Sequence, residues 1–265
     1  MELVSASKMR KAQQQAYRSR DYRDAANYLL ARLSAIPEVE RQPLFEKRVV
    51  RTRMYVVITS NSGLAGAYNA NVLKILGQSI KADQKDNVHS QVITIGNKAA
   101  QFVRRIKDVE LVAAYSAFGN EPSANDIRPI LNTLVEDFKV KKIDEALVLY
   151  TKFASQLSQT AQAQTLLPAH PEEDHKDQPV LSNFEPDVET VVDHTAVRLI
   201  EAQLWQALLE SLASEHSMRM VAMKNATDNA NDLIGDYTLE YNTARQGAIT
   251  QELAEISGGV EALKD

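Results

Sequence analysis

The chain contains no cysteine, and only 9 glycines, 8 prolines and one tryptophan in 265 residues. Without cysteine there can be no disulfide framework, thiolate metal site, cysteine nucleophile or thiol redox control within the chain. No run of about 18 apolar residues occurs, so no segment reads as a membrane-spanning helix. The opening stretch MELVSASKMRKAQ lacks the apolar core and small-residue cleavage site of a secretory signal. The five histidines form no HExxH-type pair, and no metal or cofactor site is expected. A net charge of −5 gives no basis for non-specific nucleic-acid binding. Hydrophobic content of 44% and charged content of 25% are those of a globular chain long enough to bury a real core.

The scarcity of proline and glycine is itself uneven. Asp187 to Asp265 contains no proline and reads as one helix, which at about 1.5 Å per residue spans roughly 120 Å. A globular core cannot bury a rod of that length, so the helix is expected to work outside its own domain. Met1 to Ile36 lacks both proline and glycine and is ended by Pro37. Its residues Leu3, Val4, Ala6, Met9, Ala12, Ala16, Ala26, Leu29, Leu30 and Leu33 approximate a helical stripe. Between residues 8 and 23 it carries six basic residues, Lys8, Arg10, Lys11, Arg18, Arg20 and Arg23, against the single acidic Asp21. They fit either a solvated face or a surface that meets an acidic partner.

Between these helices the pattern changes to short β-branched runs alternating with helical ones. Strands are expected at Tyr55–Thr59, Val92–Ile95, Leu111–Ala114 and Ala146–Tyr150, with a weaker fifth at Thr165–Leu167. Helices are expected at Asn69–Lys81, Lys98–Ile106 and Asp126–Val140. Continuous apolar strands alternating with helices indicate an α/β fold with a mostly parallel, Rossmann-like sheet. The expected organisation is an N-terminal helix and connection over 1–50, an α/β domain over 51–168, an acidic proline-containing linker over 169–186 and a C-terminal helix over 187–265. Within the last, Ile234, Tyr237, Tyr241, Ala244 and Ala248, then Ile249, Leu253, Ile256, Val260 and Leu263, step by three and four. These intervals suit a coiled coil, and an antiparallel pair of the two terminal helices is the expected tertiary arrangement.

The loop SNSGLAGAYN, residues 60–69, follows the first strand and opens a helix, the place where phosphates often bind. It lacks both GxGxxG and GxxxxGK[ST], so the alternative is a tight turn that uses Gly63 and Gly66. Ser60 and Ser62 lie in no GxSxG elbow. His194 and His216 read as packed or solvated, and Met218, Met220 and Met223 as packing residues. Asn225, Asp228, Asn229, Asn231 and Asp232 crowd the long helix although they are poor helix formers. That mixture suits a surface that touches partners without locking to them.

SEHSMRMVAMKNATDNANDLI and LEYNTARQGAITQELAEISGG closely resemble the C-terminal signature of the γ subunit of F-type ATP synthases. MELVSASKMRKAQ resembles the first helix of that family, and SNSGLAGAYNANV its central-domain loop. The three matches occur in the family's order, while residues 85–194 match in layout more than in motif. The resemblance implies a non-catalytic rotor shaft, an antiparallel coiled coil on a Rossmann-like domain without a nucleotide site. It implies a ring of three α and three β subunits around the coiled coil, with the ε subunit and the c-ring at the globular end. It further implies that proton-driven rotation drives the β subunits through their conformations. The absence of cysteine then suits the cytoplasmic face of a bacterial plasma membrane, with membrane association only through the complex.

By the same resemblance, Met1, Ser7, Lys8 and Arg10 on the first helix are placed against β subunits or the facing helix. Arg219, Met223, Arg245, Gln246, Thr250 and Glu252 take the same role on the last. Relative to the family pattern the chain starts inside the first helix, and a shaft that is single-stranded over part of its length is expected. Two other readings stay open at this stage: a free-standing α/β nucleotide-binding enzyme that uses the glycine loop, and a coiled-coil homodimer.

Overall fold

A computed structural model describes residues 1–34, 39, 42–119, 122–156, 158–169 and 188–262. Most of the expected 169–186 linker lies outside the described residues. The elements run α1 (Glu2–Ser34), β1 (Thr52–Ile58), α2 (Tyr68–Lys85), β2 (His89–Ile95), α3 (Asn97–Val103), β3 (Val109–Tyr115), α4 (Ala124–Lys139), β4 (Glu145–Phe153), β5 (Gln159–Leu167) and α5 (Val188–Ala262). The chain divides into two compact units, Met1–Val221 and Ala222–Asp265.

In the first unit the five strands form one sheet in the order β3-β2-β1-β4-β5. β1, β2, β3 and β4 are parallel, and β5 joins β4 antiparallel. The inner strands are buried on both faces, which explains their continuous apolar runs, TRMYVVI and HSQVITI among them. β5 is the element least legible in the sequence, where only its last three residues were expected. Its sequence QTAQAQTLL has little β propensity; it lies at the sheet edge and takes its pairing from β4.

Residues of alternate parity on β1 enter different cores. Met54, Val56 and Ile58 meet α4 through Ile127, Ile130, Leu134 and Phe138, and meet α5 through Leu199, Ile200, Leu204 and Leu208. Tyr55 and Val57 meet α2 and α3 on the other face through Val72, Leu76, Ile80, Ala99 and Val103. Val72, Leu76 and Ile80 recur every four residues on α2 and are buried. Each contributes about 1.5–3 kcal/mol relative to an exposed position. α4 begins earlier than the hydrophobic pattern indicated because Ser123 and Asp126 form a capping box.

Two polar details hold the sheet's ends. At the N-terminal edge, the fully buried Asp83 carboxylate accepts from Tyr55 Oη at 2.7 Å, from Ser90 Oγ at 2.8 Å and from Arg53. Arg53 Nε also donates to Glu145 Oε2 at 2.5 Å, so α2, β1, β2 and β4 share one network. Burial, followed by the hydrogen bond to Asp83, pushes the Tyr55 hydroxyl well above its ordinary value and keeps it a donor. At the opposite edge Gly96 has φ 99°, and a Cβ there would lie 2.1 Å from the Thr59 carbonyl oxygen. Only glycine fits that turn.

Asp83→Ala leaves three donors without their shared acceptor. It should lower unfolding free energy by roughly 3 kcal/mol, the scale for breaking a buried charged pair. Urea denaturation measures this, and a loss below about 0.5 kcal/mol, within the range of ordinary surface changes, would show that the network does not hold the edge.

Candidate partner-binding surface

The sheet order reverses between β1 and β4, and the crevice beyond their C-terminal ends is where an open α/β sheet ordinarily receives a ligand. Here α5 fills it with small side chains. Ser211 and Tyr68 share a hydroxyl hydrogen bond of 2.7 Å, Ser214 Oγ donates to the Thr151 carbonyl at 3.2 Å, and Ala213 packs on Phe153. The 60–69 loop spends its polar groups on the fold. Ser60 N donates to Asn69 Oδ1 at 3.0 Å, and Asn61 Oδ1 accepts from the backbone of Asn97 and Ala117 at 3.2 and 2.8 Å. The turn uses positive φ at Leu64 (61°) and Gly66 (55°), not at Gly63. Of the two readings of this loop, the turn is the one the geometry supports.

α1 lies antiparallel to α5 between Val192 and Ser217. Gln203 donates to Asn27 at 2.9 Å, Ser19 bonds Gln206, Gln206 Nε2 donates to the Ala16 carbonyl at 3.3 Å, and Ala12 reaches Ala213. This places α1 against the Val192–Ser217 stretch of α5, within the first unit. Ile234, Tyr237, Tyr241, Ile249, Leu253 and Ile256 are 49–67% exposed. Val260 and Leu263 have no described side chain.

The α1–α5 interface is polar as well as apolar. Glu210 is fully buried; its Oε1 accepts from Gln206 at 2.8 Å and lies 3.5 and 3.6 Å from Arg20 and Arg23. Arg20 also donates to the Phe153 carbonyl at 2.5 Å and stacks on Tyr17. Two of the six basic residues between Lys8 and Arg23 therefore face an acid of their own chain. Sequence reasoning missed Glu210, because nothing in ALLESLASE distinguishes a buried glutamate from a surface one.

Comparison with known proteins decides the family. The family model described as ATP synthase matches residues 1–263. The ATP synthase gamma chain of Stenotrophomonas maltophilia (strain R551-3) is 41% identical over 268 residues, covering 99% of this chain and 92% of that one. The gamma chain of Xylella fastidiosa (strain M12) is 40% identical with the same coverage. The chain belongs to the ATP synthase gamma chain family.

The fold agrees with solved structures. The central stalk and c-ring structure of the Tetrahymena thermophila mitochondrial ATP synthase contains a chain matched at TM-score 0.65 and 22% identity, over 86% of this chain and 97% of that one. A chain of the Euglena gracilis mitochondrial enzyme matches at TM-score 0.61 and 19% identity, over 99% and 94%. As a γ chain, the protein is a non-catalytic rotor shaft and a subunit of a membrane-associated ATP synthase complex.

The residues singled out in the sequence fall into two groups. Met1, Ser7 and Arg10 are exposed on or beside α1. Lys8 is half-buried, and its charge acts on Glu215 and His216 across the helix pair. Arg219 is held by its own chain: its guanidinium pairs with Glu215 at 2.6 Å and donates to Ser62 Oγ and the Gly63 carbonyl at 3.4 Å each. Lys8, Glu215, His216 and Arg219 thus form one cluster in the first unit. In the second unit Met223 is half-buried, while Arg245, Gln246, Thr250 and Glu252 are exposed. Thr250 donates its hydroxyl to the Gln246 carbonyl at 2.8 Å, a bond within the helix.

His216 is 5% exposed, and burial, then the charges of Arg219 and Lys8, lowers its pKa to about 4. The folded state holds it neutral, whereas the unfolded chain protonates near the ordinary value. Its contribution is therefore complete above about pH 6.5 and lost as pH falls towards 4, on the order of 3 kcal/mol. Burial raises the Glu215 pKa and acts in the opposite direction at acid pH. The comparison that isolates the histidine is the parent chain against His216→Gln. Unfolding free energy of the parent should fall more steeply between pH 6.5 and 4; equal slopes would show that the imidazole is not held neutral.

Proposed function

We propose that one copy of this chain stands at the axis of three α and three β subunits, with the ε subunit and the c-ring at its α/β end, on the cytoplasmic face of a bacterial plasma membrane. In this arrangement 51–168 is the Rossmann-like body, 1–50 and 187–265 supply the shaft, and 169–186 links them. Rotation of the ring by protons turns the chain, and the shaft presents a changing surface to each catalytic site.

One observation carries this reading. From Lys224 to Gly259 every residue except Asn242 is exposed, among them Leu233, Ile234, Tyr237, Leu239, Tyr241, Ile249, Leu253 and Ile256. A helix with that many uncovered large apolar side chains requires a partner surface. The same stretch carries Arg245, Gln246, Thr250 and Glu252, whose hydrogen bonds can be exchanged as the partner changes. A lever shifts a conformational equilibrium only through contacts that differ between the states, and a rotor must leave every angle it visits. Small, polar and apolar groups interspersed along one helix meet both demands better than a continuous leucine seam. Met1, Ser7, Lys8, Arg10, Arg219 and Met223 complete the proposed contact set. For Lys8 and Arg219 that contact competes with the intrachain cluster described above.

Reconstitution with matched α and β subunits tests the reading. The expected product contains one copy of this chain per three β, hydrolyses ATP only when the chain is present, and turns a bead fixed to the α/β body. No complex, or nucleotide binding by the chain alone, would favour a free-standing α/β protein. Replacing Arg245 and Gln246 with alanine should leave assembly and helicity intact while lowering ATP-driven rotation several-fold. Unchanged rotation would remove these two from the working contacts.

A further inference from the structure

The outer layer of the sheet, away from α1 and α5, carries a feature that the rotor role does not use. α2 and α3 enclose a groove of about 740 Å³, lined by Leu73, Gly77, Ile80, Phe102 and Ile106, with Lys74 and Lys81 on its wall. Ala70, Leu73, Gly77, Ile80 and Gln84 line it at intervals of three and four, so the groove follows one face of α2 for about 20 Å. Its lining is apolar, yet no other element of the described chain covers it.

Two further observations say what fits. The first is charge. Residues 68–108 hold seven lysines and arginines against three aspartates, in a chain whose net charge is −5. One of those aspartates, Asp83, is buried in the network with Arg53. Lys74, Lys81, Lys85, Arg104, Arg105 and Lys107 are exposed, and none makes an ion pair with a described residue. The second is Gly77. It sits in the interior of α2, where glycine is unfavourable. Its φ is not left-handed, and a Cβ added there would meet nothing within 4 Å. The chain's own fold gives no reason for glycine at this position. The missing side chain deepens the groove midway along its length, where an incoming backbone can approach closely.

We propose that the α2–α3 groove is a docking site for an acidic amphipathic helix of a partner protein. The helix would lay its apolar ridge over Leu73, Gly77 and Phe102 and set carboxylates against Lys74, Lys81 and the basic residues at the α3 end. The concave floor favours a helix over a lipid surface, which would be met by protruding apolar side chains. The groove lies on the α/β body, and the proposal uses neither the shaft nor the α1–α5 pair.

The test uses the full chain and a fluorescent 14-residue helical peptide with leucine every third or fourth position and glutamate between. A second peptide replaces each glutamate with lysine, and phosphatidylglycerol vesicles supply the lipid alternative. The acidic peptide should bind with strong salt dependence, and the basic one should not. Lys74→Glu with Lys81→Glu should weaken the acidic peptide at least about tenfold and admit the basic one. Gly77→Leu should abolish binding while raising the unfolding midpoint, because the new side chain has room and improves the helix. No binding of the acidic peptide, equal binding by Gly77→Leu, or capture by vesicles in its place would overturn the proposal.

Discussion

The burial of α5 from Val192 to Ser217 is the contact on which the rest of the first unit depends. That stretch packs on the same sheet face as α4, closes the crevice between β1 and β4, and receives α1 along its other side. Removing it would uncover Val56, Ile93 and Val148 together and leave α1 without a surface. The crevice-filling positions are Ser211, Ala213 and Ser214, all small, because helix backbone approaches the β4 terminus closely. A fold that elsewhere admits a ligand is here committed to holding a helix.

That commitment is reinforced by polar contacts that apolar packing alone would not supply. Glu210 between Arg20 and Arg23, Gln203 with Asn27, and Gln206 with Ser19 set one register between α1 and α5. A slip by one turn would bury Glu210 away from its arginines, at a cost of several kcal/mol. For a shaft, a single register matters more than maximal affinity between its helices. Arg219 extends the same logic to the 60–69 loop, so the α/β body and the helix that leaves its core are tied by charge as well as by shape.

Much of the sheet was readable beforehand because its inner strands are buried on both faces, and burial on both faces writes itself as an unbroken apolar run. β5 was not, since an edge strand of alanine, threonine and glutamine owes its conformation to β4. The seam at Ile234–Ile256 was readable as periodicity, but periodicity does not name its partner; α1 pairs with an earlier stretch of α5. Among the candidate contact residues, exposure at Arg245, Gln246, Thr250 and Glu252 agrees with a surface role. Arg219 has a local partner in Glu215, four residues earlier on the same helix, but its contacts with Ser62 and Gly63, and the action of Lys8 on Glu215, join residues far apart in sequence.

The sequence by itself determined the element types, the alternation that makes a parallel sheet, the long proline-free helix and, through its three family motifs, the role. These are local or recurrent properties, set by side-chain period and by residues that lie next to one another. Only the tertiary structure decided that α5 fills the ligand crevice, that Glu210 is a buried acid, and that Gly77 opens a groove rather than a turn. Each of those depends on which surfaces of separate elements meet, or fail to meet, and no local pattern of sequence contains that information.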